Sequence, residues 1–387
     1  MTESHKTEIH TVPNPDLHVV DGNKSQWSHA DQRCHGWHNL YRLARYSTSF
    51  RSARVMTLEK RNDLTLGALD SVQRLTALPW FSAMVVIRGQ HILYERYAPD
   101  FSRDQPHSIQ SISKTLMNLI VGRLIEQGTL DPSRTVADYL PEIGSGYASA
   151  TLQQVLNMDV INDYSEDFTD PHAPYYDHEE AMGWRLPASL HREETEHSFL
   201  PRIGSTDTTN HTGHVNYKDA NTAVLAWVAE RASGKPLRTF IADIVDAAGL
   251  EGAFHITTDR EGVPTVEGGA CLTARDLARY FSIFARRGLG IGGERVGSAS
   301  FMERTLAGGV PMPSPYQSIR YSNQTMLFGR TLGHGGWGGQ YALLNVDTGA
   351  IGVFFSVIEN EHANNGDYLL PIMEMLEHVT GGAALPK

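Results

Sequence analysis

Two short strand pairs at opposite ends of the chain constrain its fold more than any other feature. Ala83-Met84-Val85-Val86-Ile87 and His91-Ile92-Leu93-Tyr94-Glu95-Arg96-Tyr97 flank Arg88-Gly89-Gln90 and read as strand, turn, strand. Far downstream, Gln340–Val346 and Ala350–Ile358 flank the turn Asp347-Thr348-Gly349 in the same way. The chain between them reads mainly as helix. A sheet must therefore be assembled from both chain ends, with a helical unit inserted between. The fold class is α/β: an antiparallel sheet flanked by helices plus an inserted all-α domain. The expected boundaries are an N-terminal arm over 1–60 packing on the body, an α/β domain from 61–110 and 262–387, and a mainly helical domain over 111–261. A cleft where the two meet is the default site.

Helical spacing recurs from Leu64 to Leu78, and again through Leu116, Leu119, Ile120, Leu124 and Ile125, where Gly128 supplies a stop. Shorter helices are expected at 136–140 and 152–158, and longer ones at about 221–232, 237–248, 273–281 and 368–380. The stretch 159–216 is loop-rich and carries many aromatic, acidic and histidine residues. So long an irregular segment inside a compact protein reads as a lid over a binding site.

The chain has 387 residues and a formal charge of −11, which argues against a nucleic-acid partner. No apolar run of about eighteen residues predicts a membrane span, and the first twenty residues lack a signal-peptide pattern. A cytoplasmic location is expected, and the two cysteines, Cys34 and Cys271, fit a reducing compartment. The histidines near the N-terminus (His5, His10, His18, His29, His35, His38) and those in the loop (His172, His178, His191, His197, His211, His214) show no ligand spacing, so no metal and no cofactor are expected.

Chemistry concentrates in three boxes. Ser111-Ile112-Ser113-Lys114 falls between the first hairpin and the apolar helix. Positions three apart share a helical face, so Lys114 can aim its amine at the Ser111 hydroxyl. A four-residue match of this kind is weak alone. Tyr217-Lys218-Asp219 follows the long loop and precedes a helix, which puts a phenol at a loop–helix junction. Gly333-His334-Gly335-Gly336-Trp337-Gly338-Gly339 leads into a strand, and its glycines allow close approach to a strand edge.

Three boxes in this order, each in its expected setting, resemble the serine β-lactamase and penicillin-binding superfamily. The likeness is to its class C-like branch, with D-alanyl-D-alanine carboxypeptidases and family VIII carboxylesterases, and within it to the 6-aminohexanoate-dimer (nylon oligomer) hydrolases. Further residues carrying it include Gln154-Val155-Leu156-Asn157-Met158, Gly183-Trp184-Arg185 and Thr273-Ala274-Arg275-Asp276. The resemblance implies a β-lactamase-like fold with Ser111 as acylated nucleophile, Lys114 as its general base or the base's electrostatic support, and Tyr217 as proton relay to the leaving group. It implies an oxyanion hole from the backbone N–H groups of Ser111 and Trp337. His334, Gly335 and Gly336 replace the lysine–threonine–glycine triplet. Asp219 stands where asparagine is usual, either to orient Lys114 as a charge partner or to cap the following helix, and Asn221 is expected to support the site.

Those departures disfavour β-lactam and cell-wall substrates, because neither a neutral histidine nor a glycine binds a substrate carboxylate as lysine and threonine do. Glu179 and Glu267 align with side chains that hold a substrate's amino end, Phe168 replaces a tyrosine that contacts the scissile amide, and Trp184 is expected to line the cleft with Tyr175. The expectation is a cofactor-free serine hydrolase of short esters or small linear amides, leaning to esters. The rivals are a D-aminopeptidase or D-alanyl carboxypeptidase and a catalytically silent binding protein of the same fold. The partner is a small-molecule ester or amide, with no membrane; a homodimer stays open.

Overall fold

The computed structural model describes residues 26–168, 170, 172–187 and 193–381. Its strands are β1 Ser47–Phe50, β2 Glu59–Lys60, β3 Phe81–Arg88, β4 His91–Tyr97, β5 His107–Ser108, β6 Phe254–Thr257, β7 Ala270–Leu272, β8 Val310–Pro311, β9 Ile319–Ser322, β10 Thr325–Phe328, β11 Thr331–Gly336, β12 Gln340–Asn345 and β13 Ala350–Ser356. Nine of them form one sheet in the order β2-β4-β3-β13-β12-β11-β10-β9-β8.

The two chain ends meet where β3 pairs antiparallel with β13, Val85 opposite Val353. Gly89 turns the β3–β4 hairpin at φ 58, in the left-handed region that favours glycine. Both faces of β3 are buried, which explains its near-continuous apolar run. Alternation sends Ala83, Val85 and Ile87 to one core with the inserted helices. It sends Met84 and Val86 to another, beneath the helix Gly366–Gly381.

Behind the site lies the helix Thr115–Glu126, which buries Leu116, Met117, Leu119, Ile120, Val121 and Leu124. Full burial of each such aliphatic side chain contributes about 1.5–3 kcal/mol. Gly122 lets the Phe301 ring lie against this helix, since a Cβ there would sit 2.6 Å from the ring. The helix Asp219–Ser233 packs on it and ends at Gly234 in the left-handed conformation.

Several sequence expectations need correction. The helix expected over 64–78 is two short ones, Leu64–Ala68 and Asp70–Leu75, because Leu69 is extended between them. The inserted unit is not all helical. Its β6 belongs to a second sheet, ordered β1-β6-β7-β5, whose β1 comes from the N-terminal arm. The main sheet is not wholly antiparallel, since β2 runs parallel to β4. Strands β8 to β11 also escaped the sequence, being short and broken by turns. The stretch 159–216 contains the helices Pro174–Ala181 and Glu196–Phe199. Among the described residues no helix is long and apolar enough to cross a membrane.

Candidate active site

The nucleophile box is set by the second sheet. Strand β5 ends at Ser108, and Gln110–Lys114 then forms a 3₁₀ turn, so the α-helix begins only at Thr115. Gln110 holds φ 48, a strained conformation for a non-glycine residue that costs on the order of 1–3 kcal/mol. Surrounding bonds hold it there. Its amide donates to Ser108 Oγ at 2.7 Å, and its carbonyl accepts the Ser113 hydroxyl at 2.7 Å. Ser113 also accepts the Ala270 N–H, so its hydroxyl is committed to structure.

Lys114 is fully buried, and its Nζ has three neighbours: Ser111 Oγ at 2.9 Å, Asp219 Oδ1 at 2.5 Å and the Glu267 carbonyl at 2.6 Å. An ammonium fills all three positions as a donor. A free amine donates to the two acceptors, Asp219 and the carbonyl, and turns its lone pair toward the Ser111 O–H. The same three contacts therefore accommodate the lysine as ammonium or as free amine.

Tyr217 presents its ring 5.0 Å from Lys114 Nζ. Its hydroxyl is buried and lacks a hydrogen-bond partner among the described residues. Burial first, then the Asp219 charge, pushes the phenol well above its ordinary range despite the nearby Ser111 hydroxyl. Tyr217 thus rests as a phenol, suited to giving a proton rather than taking one.

His334, on β11, donates from Nδ1 to the Gly335 carbonyl at 2.6 Å, which leaves Nε2 as acceptor 3.3 Å from the Tyr321 hydroxyl. Burial, then the Lys114 charge, lowers its pKa to about 3. It is neutral at pH 7 and brings no cation to the third box. In the unfolded chain histidine titrates near 6.5, so the unfolded state binds the extra proton between there and about pH 3. Stability attributable to His334 is therefore full above pH 6.5 and is lost as pH falls, by on the order of 2–3 kcal/mol at pH 4. A His334→Gln protein is expected to lose less stability than the parent between pH 7 and 4, as read by urea unfolding.

The glycines of the third box are set by proximity. A Cβ on Gly336 would lie 2.7 Å from the Ile109 carbonyl, so only glycine lets the strand end lie against the segment leading to Ser111. Trp337 follows, held from several directions. Its carbonyl accepts the Trp37 indole N–H at 2.9 Å, and its own indole donates to the His362 carbonyl at 3.0 Å. Phe168 stacks on it at 5.1 Å and 17°, and the Arg33 guanidinium lies 5.0 Å from its ring centre. Trp37 and Arg33 lie on the arm helix Arg33–Leu43.

A small chamber of about 210 Å³ opens at Ser111, with Glu166, Asp219 and Glu267 in its lining. Burial and the neighbouring acids raise Glu166 and Glu267 well above the usual carboxylate range. Both shifts disfavour the anion, and Glu267 Oε2 has no hydrogen-bond partner among the described residues.

A buried lysine between serine and aspartate, beside a phenol and a glycine-lined strand, matches the order of the three boxes. The family model described as beta-lactamase matches residues 74–370. The chain belongs to the beta-lactamase family. A 6-aminohexanoate-dimer hydrolase from Paenarthrobacter ureafaciens is 37% identical over 232 residues, 59% of this chain and 57% of that protein. The aligned region thus spans little more than half of that relative. A solved Bacillus anthracis structure, provisionally assigned as a 6-aminohexanoate-dimer hydrolase, superposes with a TM-score of 0.79 at 19% identity, covering 97% of this chain and all of that one. A D-stereospecific amidohydrolase from a Streptomyces species follows at 0.58 and 18%, covering 83% of this chain and 100% of that one. At such identities the structural likeness speaks for the beta-lactamase fold alone.

The other residues of this family member singled out by sequence fall in different places. Phe168 and Trp184 line the chamber at Ser111. Trp184 is otherwise a core residue, its indole donating to Thr257 Oγ1 at 2.7 Å and its ring edge-on to Trp27. Glu179 does not line that chamber. It is buried against Arg185 at 3.0 Å and faces an adjoining cavity, because its helix, Pro174–Ala181, turns it outward past Tyr175. Asn221 accepts the Tyr147 hydroxyl at 2.6 Å and makes no hydrogen bond to Ser111, Lys114 or Tyr217 among the described residues. Two residues after Asp219 on the helix, it faces elsewhere. Glu166 was missed: its carboxylate accepts the Asp219 backbone N–H, bracing the helix end beside Lys114. Only its place in an acidic run marked it. His5, His10, His18 and His191 lie outside the described residues, among which no group of His, Cys, Asp or Glu is placed to hold a metal.

Proposed function

We propose that this protein is a serine hydrolase that cleaves short esters or small linear amides through an acyl-enzyme on Ser111. Lys114 takes the Ser111 proton as the hydroxyl attacks the carbonyl carbon. The backbone N–H groups of Ser111 and Trp337 receive the oxyanion, a contribution of a few kcal/mol each in comparable sites, on the order of 3. Tyr217 passes a proton to the leaving atom, and the same groups then activate water against the acyl-serine. The observation that carries this reading is the fully buried Lys114 Nζ, 2.9 Å from Ser111 Oγ and tethered by Asp219 and the Glu267 carbonyl.

Phe168 offers no hydroxyl to an amide nitrogen, which favours esters. The aminopeptidase alternative needs a resting anion for the substrate ammonium. Glu179 is already paired with Arg185, and burial with the neighbouring acids disfavours the Glu267 anion. A silent binding protein has no use for a buried lysine aimed at a serine. The test compares p-nitrophenyl acylates with linear amide oligomers, using the parent and Ser111→Ala. Ester turnover at least tenfold above amide turnover, lost in the variant, is expected; faster amide cleavage overturns the ester preference.

A further inference from the structure

Ser111 opens onto two chambers of opposite character. The 210 Å³ chamber is lined by carboxyls. On the other side lies a larger one of about 470 Å³, walled by Met312, Ile319, Met326, Tyr341, Leu369 and Met373. Among the described residues no lysine, arginine, aspartate or glutamate contributes to its lining, where His362 and Asn364 also stand. The stacked pair of Phe168 and Trp337 lines both, as do Ser111 and Tyr217. These chambers fix which half of the substrate goes where. On the apolar side Tyr217 shares one hydrophobic cluster with Met312 and Met326, which wall that chamber. The atom that Tyr217 protonates must lie within hydrogen-bond reach of its hydroxyl, and of the two chambers there the one walled by those methionines is the roomier for the group that departs.

We propose that the apolar chamber receives the leaving group, and that this group is a neutral aliphatic or aryl alcohol or amine rather than one bearing a carboxylate. This rests on the acyl-enzyme reading above. The bond from the carbonyl carbon to the leaving oxygen or nitrogen breaks and that atom takes the Tyr217 proton. Tyr217 recovers a proton from Lys114, which had received it from Ser111, and the acyl group stays on Ser111 until water releases it. Among the described residues a carboxylate in this chamber meets no lysine or arginine, only His362 and neutral polar groups such as Asn364, and so recovers little of the hydration it gives up. An ω-amino acid is therefore a poor leaving group here, whereas a plain alkyl chain gains from contact with the methionines.

The test varies the alcohol at constant acetyl group: methyl, butyl and hexyl acetate, and the acetate ester of 6-hydroxyhexanoate. kcat/KM is expected to rise by up to about fourfold for each methylene buried. The carboxylate-bearing ester should fall about 100-fold below hexyl acetate. Met326→Lys, a half-buried position, should narrow that gap about tenfold or more by supplying the missing cation. Calorimetric binding of 1-hexanol to the Ser111→Ala protein reads the chamber without catalysis and should be weakened by adding Met326→Lys. A flat alcohol series, a rise with acyl length instead, or equal use of the carboxylate ester overturns the assignment. Hydrolysis that survives Ser111→Ala sinks the acyl-enzyme reading, and the hexanol measurement still reports on the chamber.

Discussion

Replacing Lys114 by alanine is expected to lower kcat/KM for ester hydrolysis by about 10²- to 10⁴-fold, the range for loss of a positioned general base. Serine at its free pKa is a poor nucleophile, and Lys114 is the basic nitrogen bonded to Ser111 Oγ. Lys114→Arg is the informative companion. It keeps a positive charge beside Asp219 but cannot give up a proton near neutral pH, so it should fall as far as alanine. An arginine variant within tenfold of the parent would mean that Lys114 acts through its charge and that the base lies elsewhere. Both proteins need checking by thermal unfolding. Removing the lysine leaves the largely buried Asp219 carboxylate without its partner, and breaking a buried pair costs about 3–5 kcal/mol.

Arg33→Ala should produce the largest change in stability. The guanidinium is buried and donates to the carbonyls of Ser28, Ile358 and Asn360, the last two at 2.6 Å each. Burial lowers its pKa to about 10, which leaves it protonated at neutral pH. Alanine would strand several acceptors, each costing about 1–3 kcal/mol when buried and unsatisfied. The expected loss is therefore about 3–6 kcal/mol, measured from urea midpoints at constant slope. Arg33→Lys should recover less than half, because a point charge cannot bridge acceptors spread across a planar fork. Arg33 also lies over Trp337, so the variant should lower kcat as well as stability. A loss under about 1 kcal/mol would mean that the arm is not fastened to the body through this residue.

The sequence made the candidate site legible because its residues obey local rules. Ser111 and Lys114 are three apart on one turn, Tyr217 sits at a helix entrance, and glycines mark the strand that approaches them. The joined sheet was legible because β3 and β13 are buried on both faces and therefore continuously apolar. What stayed hidden depends on contacts between segments far apart in the chain. Nothing local marks Trp37 as the donor to Trp337, or Arg33 as a tie between arm and C-terminal loop. The second sheet was invisible because β5 is two residues long and its neighbours come from three distant segments. Glu179 and Asn221 show the converse. Each aligned with a useful position, but the turn of its own helix sends the side chain to Arg185 or Tyr147.

The measurement that tests the central claim most directly is the site of covalent capture. The full-length protein is treated with a fluorophosphonate, digested, and the modified peptide sequenced by mass spectrometry. One adduct per chain is expected, on Ser111, absent from Ser111→Ala and formed about 10²-fold or more slowly in Lys114→Ala. An adduct on Ser113 or elsewhere, or labelling that persists in Ser111→Ala, would contradict the account.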